Sequence, residues 1–332
     1  MGYRDAQLMS SAPQSAYSTA QTLDRWHPYS GNPGLGWIPN DSESDAIYPG
    51  SVALDTDTYR ATETAGGSID HEVKAKGFGR FYKAALGAGV STLVSGGIYQ
   101  QNFTPSSNAL FDALTLQLAR PQLDGTTFDV DTFIGCVVKS LEFKMDNKGV
   151  LTMTPEWDAQ TMSTVIAKGS PSITYPNRFT FAGFSMSTGT LTEPTTIAVG
   201  SAITALDGIK SFSLKIENDL DTEDFRAGGT GLKAQPTVSR QTITGQIEGD
   251  YIAQIAALRT QWRANGTLPL VANFAAGTDL IQFVMGACRI SDPLVPNADG
   301  KQPAATISFE VRKAAASTAA LWITTRSTDT TF

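Results

Sequence analysis

Two stretches of this chain carry the same alternating pattern. Lys139 to Asn147 reads KSLEFKMDN, and Lys210 to Asn218 reads KSFSLKIEN. Lys, Ser, Lys and Asn stand at matching places, and Leu141, Phe143 and Met145 correspond to Phe212, Leu214 and Ile216. The positions between them hold Ser, Glu, Lys and Asp. Successive side chains of a strand point to opposite faces, so each stretch reads as a strand with one row in a core and the other in water.

The rest of the chain supports a mainly β reading. Gly66 onward, SIDHEV alternates Ile69, His71 and Val73 against Asp70 and Glu72. Phe78, Phe81, Tyr82 and Ala85 then fall on one helical face, with Gly87 placed to stop the helix. ALTLQL alternates Leu114, Leu116 and Leu118; FDVDTFIGCVVKSLEFKMD is a long strand with an expected kink at Gly135; NKG is a hairpin signal and VLTMTPEW the return strand. The later part repeats this order. TITGQIEGD is a strand, Tyr251, Ile255, Leu258 and Trp262 form one stripe of a second helix, and LPLVANF, TDLIQFVMGACRI and AATISFEV are strands. Strand, helix, then strands thus occur twice. The expected organisation is an extended arm over residues 1–65, a first β domain over 66–165 and a second over 166–332. Ancient duplication explains the recurrence; that any β-rich chain offers similar strands is the alternative.

The arm is rich in turn formers, with Trp26, Trp37 and Tyr48 as anchors. Alone it buries too little apolar surface to offset its ordering entropy. If ordered, it packs on the body or on a neighbouring subunit.

With 25 basic against 32 acidic residues the net charge is −7, which argues against a nucleic-acid-binding surface or docking to anionic lipid. A wall past which nucleic acid slides, in contrast, is best neutral or acidic. The two cysteines, Cys136 and Cys288, sit in apolar strands and read as buried free thiols. The first residues lack the apolar core of a signal peptide, and no apolar run has the length of a membrane span. The chain is accordingly expected to be made in the cytoplasm without inserting into a membrane.

Nothing in the sequence assembles a catalytic site or calls for a cofactor or a metal. His27 lies beside Trp26 and Pro28, and His71 lies between Asp70 and Glu72. Neighbours on a strand point apart, so Asp70 and His71 do not form a catalytic pair, and two histidines with two distant thiols give no zinc spacing. NDSESD (Asn40–Asp45) and DTDTY (Asp55–Tyr59) lack the glycine and terminal glutamate of a calcium loop. GFGRF and RAGGTG fit no phosphate-binding fingerprint.

Several of these segments, in this order, carry a resemblance. GSIDHEVKAKGFGRFYKAALG, FIGCVVKSLEFKMDNKGVLTMTPEWD, IKSFSLKIENDL and RQTITGQIEGDY together resemble the tail tube (major tail) proteins of long-tailed, siphovirus-type bacteriophages, from about Gly66 to Phe309. The N-terminal arm and the loop 292–303 are less typical. The resemblance implies tail-tube-type β-sandwich or barrel domains, each with a flanking helix, and no enzymatic activity. It implies stacked rings of six-fold or pseudo-six-fold symmetry around a conduit for genome ejection. The partners it implies are further copies of the chain, tail terminator and tail tip proteins, and a tape measure protein and DNA passing without specific binding. It places the chain in the virion tail, assembled in the host bacterial cytoplasm.

On this reading the water-facing rows Ser140, Glu142, Lys144 and Asp146, and Ser213, Lys215 and Glu217, line the lumen, and the arm with Trp26, Trp37 and Tyr48 locks ring to ring. A duplicated chain closes a ring as a pseudo-hexameric trimer; otherwise six chains close it. The alternative function is a β-rich virion binding module, tail-tip or adhesin-like, that forms no tube.

Overall fold

The computed structural model describes residues 6–43, 58–124, 126–172, 176–226, 231–291 and 304–332. The strands up to the first helix are β1 (Gln7–Ser11), β2 (Leu23–His27), β3 (Gly36–Glu43), β4 (Thr58–Ser68) and β5 (His71–Glu72). Helix α1 (Gly79–Leu86) leads into β6 (Gly87–Ser95), β7 (Ile98–Pro105), β8 (Leu114–Pro121), β9 (Phe128–Met145), β10 (Thr152–Ala159) and β11 (Thr161–Ser163). Then come β12 (Phe184–Thr192), β13 (Ser201–Ala205), β14 (Ile209–Leu220) and β15 (Val238–Asp250). Helix α2 (Ala253–Arg263) precedes β16 (Thr267–Ala276), β17 (Asp279–Ile290), β18 (Ala304–Arg312) and β19 (Leu321–Ser327).

All pairings between these strands are antiparallel. One layer runs β3–β4–β10–β9–β14–β15–β18. The other runs β13–β12–β16–β17–β19–β7–β6. A short pairing between β17 and β18 joins the layers at a corner. Apolar rows from both layers meet between them. Phe143 of β9 lies 4.7 Å from Phe283 of β17, ring centre to ring centre, and Phe212 of β14 lies 5.7 Å from the same ring. One core cluster holds Tyr82, Phe103 and Phe143 together with Phe212, Phe274 and Phe283, so both halves of the chain contribute to it. Each such buried ring stabilises by roughly 2–3 kcal/mol through area removed from water.

Two glycines shape the layers. Gly135 sits at φ 71°, inside the long β9. Before it, β9 pairs with β8 and β11 in a small sheet that β1 and β2 extend; beyond it, β9 pairs with β10 and β14. A left-handed residue turns the strand from one sheet to the other, which a β-branched side chain would resist. Gly245 stands in the inward row of β15, where a Cβ would come within 2.3 Å of the Phe309 ring. The missing side chain is the space that ring occupies.

Helix α1 forms where the sequence predicts and stops at Gly87 at φ 87°, whose N–H bonds Lys83 O. It packs on β9, β6 and β7. Its last turn is tied to the second half of the chain: Asn218 donates to Ala85 O at 3.0 Å and Val138 O at 2.9 Å, and Gln241 also reaches Ala85 O. The N-terminal segment does pack on the body. β1 and β2 form a ribbon that continues β8 and covers α1, burying Met9, Leu23 and His27.

Candidate functional site

The two similar strands, β9 and β14, are direct neighbours. Their register places Phe143 opposite Leu214, the central residue of each copy. Lys144 meets Ser213, Glu142 meets Lys215, and Ser140 meets Glu217 on the outward face, while Leu141 meets Ile216 and Met145 meets Phe212 on the inward one. The local symmetry is therefore a two-fold through the middle of the motif. Identical demands on both faces account for the identical alternation.

The outward row extends across the layer. Thr152, Lys144, Ser213, Gln246 and Ser308 form one line over β10, β9, β14, β15 and β18. Thr154, Glu142, Lys215, Thr244 and Glu310 form the next, and Glu156, Ser140, Glu217 and Thr242 a third. Every one of these side chains is polar, and the charged ones are four glutamates against two lysines. The expected lumen residues Ser140, Glu142, Lys144, Ser213, Lys215 and Glu217 thus share one face; Asp146 lies exposed just past the end of β9, at the hairpin turn. The sequence reading passed over the β10, β15 and β18 rows, whose Thr and Gln residues alternate without the charge contrast that marked β9 and β14.

Cations on this face are held by acids. Lys144 pairs with Glu142 at 3.0 Å and Lys139 with Glu156 at 2.8 Å; Lys215 pairs with Glu217, and Arg312 with Glu310 at 2.7 Å. The Lys139 ammonium, assisted by the Ser140 hydroxyl, holds Glu156 below the usual carboxylate range against a smaller opposing effect of burial. The hydrogen bond to Glu217 raises Lys215, with Glu142 and Glu156 adding to it. Both shifts favour the charged forms, so the pairs stay ionised at neutral pH. The result is a hydroxyl-rich surface whose four glutamates are matched by Lys139, Lys144, Lys215 and Arg312, so that its charges are paired and close to balanced.

The other layer presents a different outer face. Val271, Val284, Ala319 and Trp322 form an apolar cluster there, packed against Leu191 and Ala202. The loop 193–200 straps across it. Gln100 donates to Thr195 O and Ala198 O, Asn102 to Thr195 O at 2.7 Å, Arg326 to Ile197 O, and Gln282 exchanges two hydrogen bonds with Gly200.

The remaining candidates fall into structural places. Trp26 packs partly buried beside Met9 and Leu23, and Trp37 partly buried on the main core, with the Arg60 guanidinium 4.9 Å over its ring. Tyr48 and the loop 292–303 lie outside the described residues. His27 and His71 are both buried and 6.4 Å apart, boxed by Phe78 and Phe81. His27 Nε2 bonds Ser10 Oγ, and His71 Nδ1 bonds Pro28 O, each at 2.7 Å. They fasten the N-terminal ribbon to the body, and among the described residues no carboxylate is hydrogen-bonded to either. Burial pushes the Cys136 and Cys288 thiols up, and both are free. Among the described residues no group of acidic, His and Cys side chains could hold a metal, and no helix is long and apolar enough to cross a membrane.

A family model described as phage tail tube protein matches residues 6–312 of the chain. No curated protein matches it.

Proposed function

The chain belongs to the phage tail tube protein family, and from that premise we propose that its bare, polar five-strand face is the wall of a conduit for the phage genome. Membership makes it a structural subunit of the tail that assembles with its own kind into a tube. The finer reading is that copies close into rings, that rings stack, and that Ser140, Glu142, Lys144, Asp146, Ser213, Lys215 and Glu217 face the lumen. The observation that carries it is the contrast between the two outer faces: one is strapped over, the other is left open with hydroxyls and paired charges. A passing phosphate backbone finds no unpaired ammonium in the three rows to hold it. Specific binding would impede transit.

Ring stoichiometry has two forms on this reading. If residues 66–165 and 166–332 each took one ring position, three chains would close a pseudo-hexamer; if the whole sandwich takes one position, six would. β9 and β14 run antiparallel. A one-sixth turn about a ring axis cannot reverse a strand, so these two strands are not equivalent places in successive ring positions. Together with the shared core, this favours six. Tail terminator, tail tip and tape measure proteins are the further partners proposed, with assembly in the host cytoplasm and residence in the virion tail.

The test is electron microscopy of the purified protein, with a reconstruction made without imposed symmetry. Hollow filaments with the β9–β14 face inward are expected. The same face on the outside of the filament overturns the lumen assignment, and persistent monomers favour a virion binding module instead. In reconstituted phage, reversing Glu142, Glu156 and Glu217 to Lys is expected to slow genome release with tube assembly intact.

A further inference from the structure

Among the described residues one lysine is buried. Lys233 is 2% exposed, and its ammonium is hydrogen-bonded to Oδ1 of Asp158, whose side chain is 13% exposed. Lys139 with Glu156 and Lys144 with Glu142, in contrast, stand about half in water. Taking two charges out of water costs more than a single hydrogen bond returns. The second carboxyl oxygen, Asp158 Oδ2, is buried with no hydrogen-bond partner among the described residues, and so is Gln160 Oε1 two positions on. Burial raises the Asp158 carboxyl above its usual range, against the opposing pull of Lys233 and Lys139. The site therefore penalises the charged forms and compensates them poorly.

Both ends of the pair are pinned by backbone. Asp158 lies in β10 between Val137 of β9 and Gly66 of β4. Lys233 lies in the connection from β14 to β15, where it is bridged to Phe225. Its carbonyl accepts from Gln160 Nε2 at 2.9 Å, and the next N–H, that of Ala234, donates to Asp224 O at 2.8 Å. Amine and carboxyl are thus held in contact with little freedom to part, the arrangement in which an intramolecular reaction gains most over the same groups in solution. A lysine suits that reaction, because its amine is a nucleophile once one proton leaves, whereas an arginine keeps its charge. The Cys136 thiol, within electrostatic reach of both groups, donates to Phe133 O instead.

We propose that Lys233 and Asp158 condense into an isopeptide bond, a covalent modification that joins β10 to the β14–β15 connection. The ammonium passes one proton to the carboxylate across their hydrogen bond. The amine lone pair attacks Asp158 Cγ and forms the C–N bond. One carboxyl oxygen leaves as water, carrying the proton it received and a second from the nitrogen. Nothing is oxidised or reduced, and no co-reactant is needed. The product is a neutral amide, so two buried charges disappear, and its remaining N–H is a donor that the orphaned Gln160 Oε1 can accept. In water both reactants are ionised and amides hydrolyse; a site that disfavours the ions and excludes water reverses that balance. The bond spans a separation of 75 residues, with β11 to β14 between its ends. It stands independently of the tube reading.

The full-length wild-type chain, denatured and digested with trypsin, tests it by mass spectrometry. The expected product is a branched peptide joining residues 149–168 to residues 227–240, uncleaved after Lys233 and lighter by one water than its two parts. Its fragment ions place the junction at Asp158 and Lys233. Separate peptides 149–168 and 227–233 at full mass overturn the proposal, because trypsin cuts after a lysine only when its amine is free. This measurement does not depend on whether any variant folds. Lys233→Arg keeps a cation in the site and lacks the nucleophilic amine. It is expected to abolish the branched peptide and to lower the melting temperature. A branched peptide that persists in Lys233→Arg comes from another lysine and overturns the assignment.

Discussion

The two outer faces of the sandwich are built to opposite specifications. On the β16–β17–β19 side, Val284 and Trp322 are sealed by a loop held through side-chain bonds from Gln100, Asn102 and Gln282. On the β9–β14–β15 side, Ser, Thr, Gln, Glu and Lys stand in lines that no strand of the described residues covers. A sheet face with apolar rows must be covered, because leaving them wet forfeits the hydrophobic gain. A face without apolar rows is free to meet solvent or a passing polymer. The difference teaches that openness here is written residue by residue, in the alternate positions of five strands.

That contrast can be broken. Trp322→Ala removes the largest side chain under the strap, and is expected to cost about 3 kcal/mol, read as a lowered denaturant midpoint; a change under 1 kcal/mol would mean that the strap, not its apolar filling, holds the face. A second covered region responds to pH. Burial and the neighbouring charges of His71, Arg80 and Arg25 hold His27 well below the usual imidazole range, and burial pulls His71 down to about 4 despite its bond to Pro28 O and the nearby Asp70. The folded chain binds fewer protons there than the unfolded one. Stability contributed by His71 is thus complete above about pH 6.5, and declines as pH falls from there towards 4. Between pH 7 and pH 5 the loss is expected to be about 2 kcal/mol for His71. His71→Asn should flatten that slope in denaturation curves at the two pH values, and an unchanged slope would remove the ribbon's histidines from the account. The smallest effect belongs to the open face. Lys144→Ala is expected to change stability by less than about 0.5 kcal/mol, and a larger loss would show that this face carries structural load after all.

Much of this architecture was legible. Alternation in KSLEFKMDN and KSFSLKIEN assigned each residue to the inward or outward row, NKG marked the turn, Gly135 the bend and Gly87 the helix stop, because each is a local property of a few residues. Registers between distant strands are not local. Nothing in the alternation says that Phe143 would face Leu214, that His27 would stack on Phe81, or that residues 193–200 would lie over Trp322. The outward rows of β9 and β14 were readable through their lysines and glutamates. Those of β10, β15 and β18 were not, since Thr242, Thr244 and Thr306 are as much at home in a half-buried strand of any fold. Trp26 and Trp37 were recognised as anchors, but the sequence did not specify that their anchorage lies on the chain's own body.

The pairing of the two motif copies about their shared centre has one more consequence. Read up β9 and then down β14, the outward residues come as Ser140, Glu142, Lys144 and Asp146, and as Ser211, Ser213, Lys215 and Glu217. A rotated copy of this strip differs from the original chiefly where Glu142 answers Ser213. If that strip is the conduit wall, it is close to a palindrome, and a strand of nucleic acid would feel nearly the same sequence of charges travelling either way. Such a wall has no arrow. The sense of transport would then have to come from the two ends of the tail.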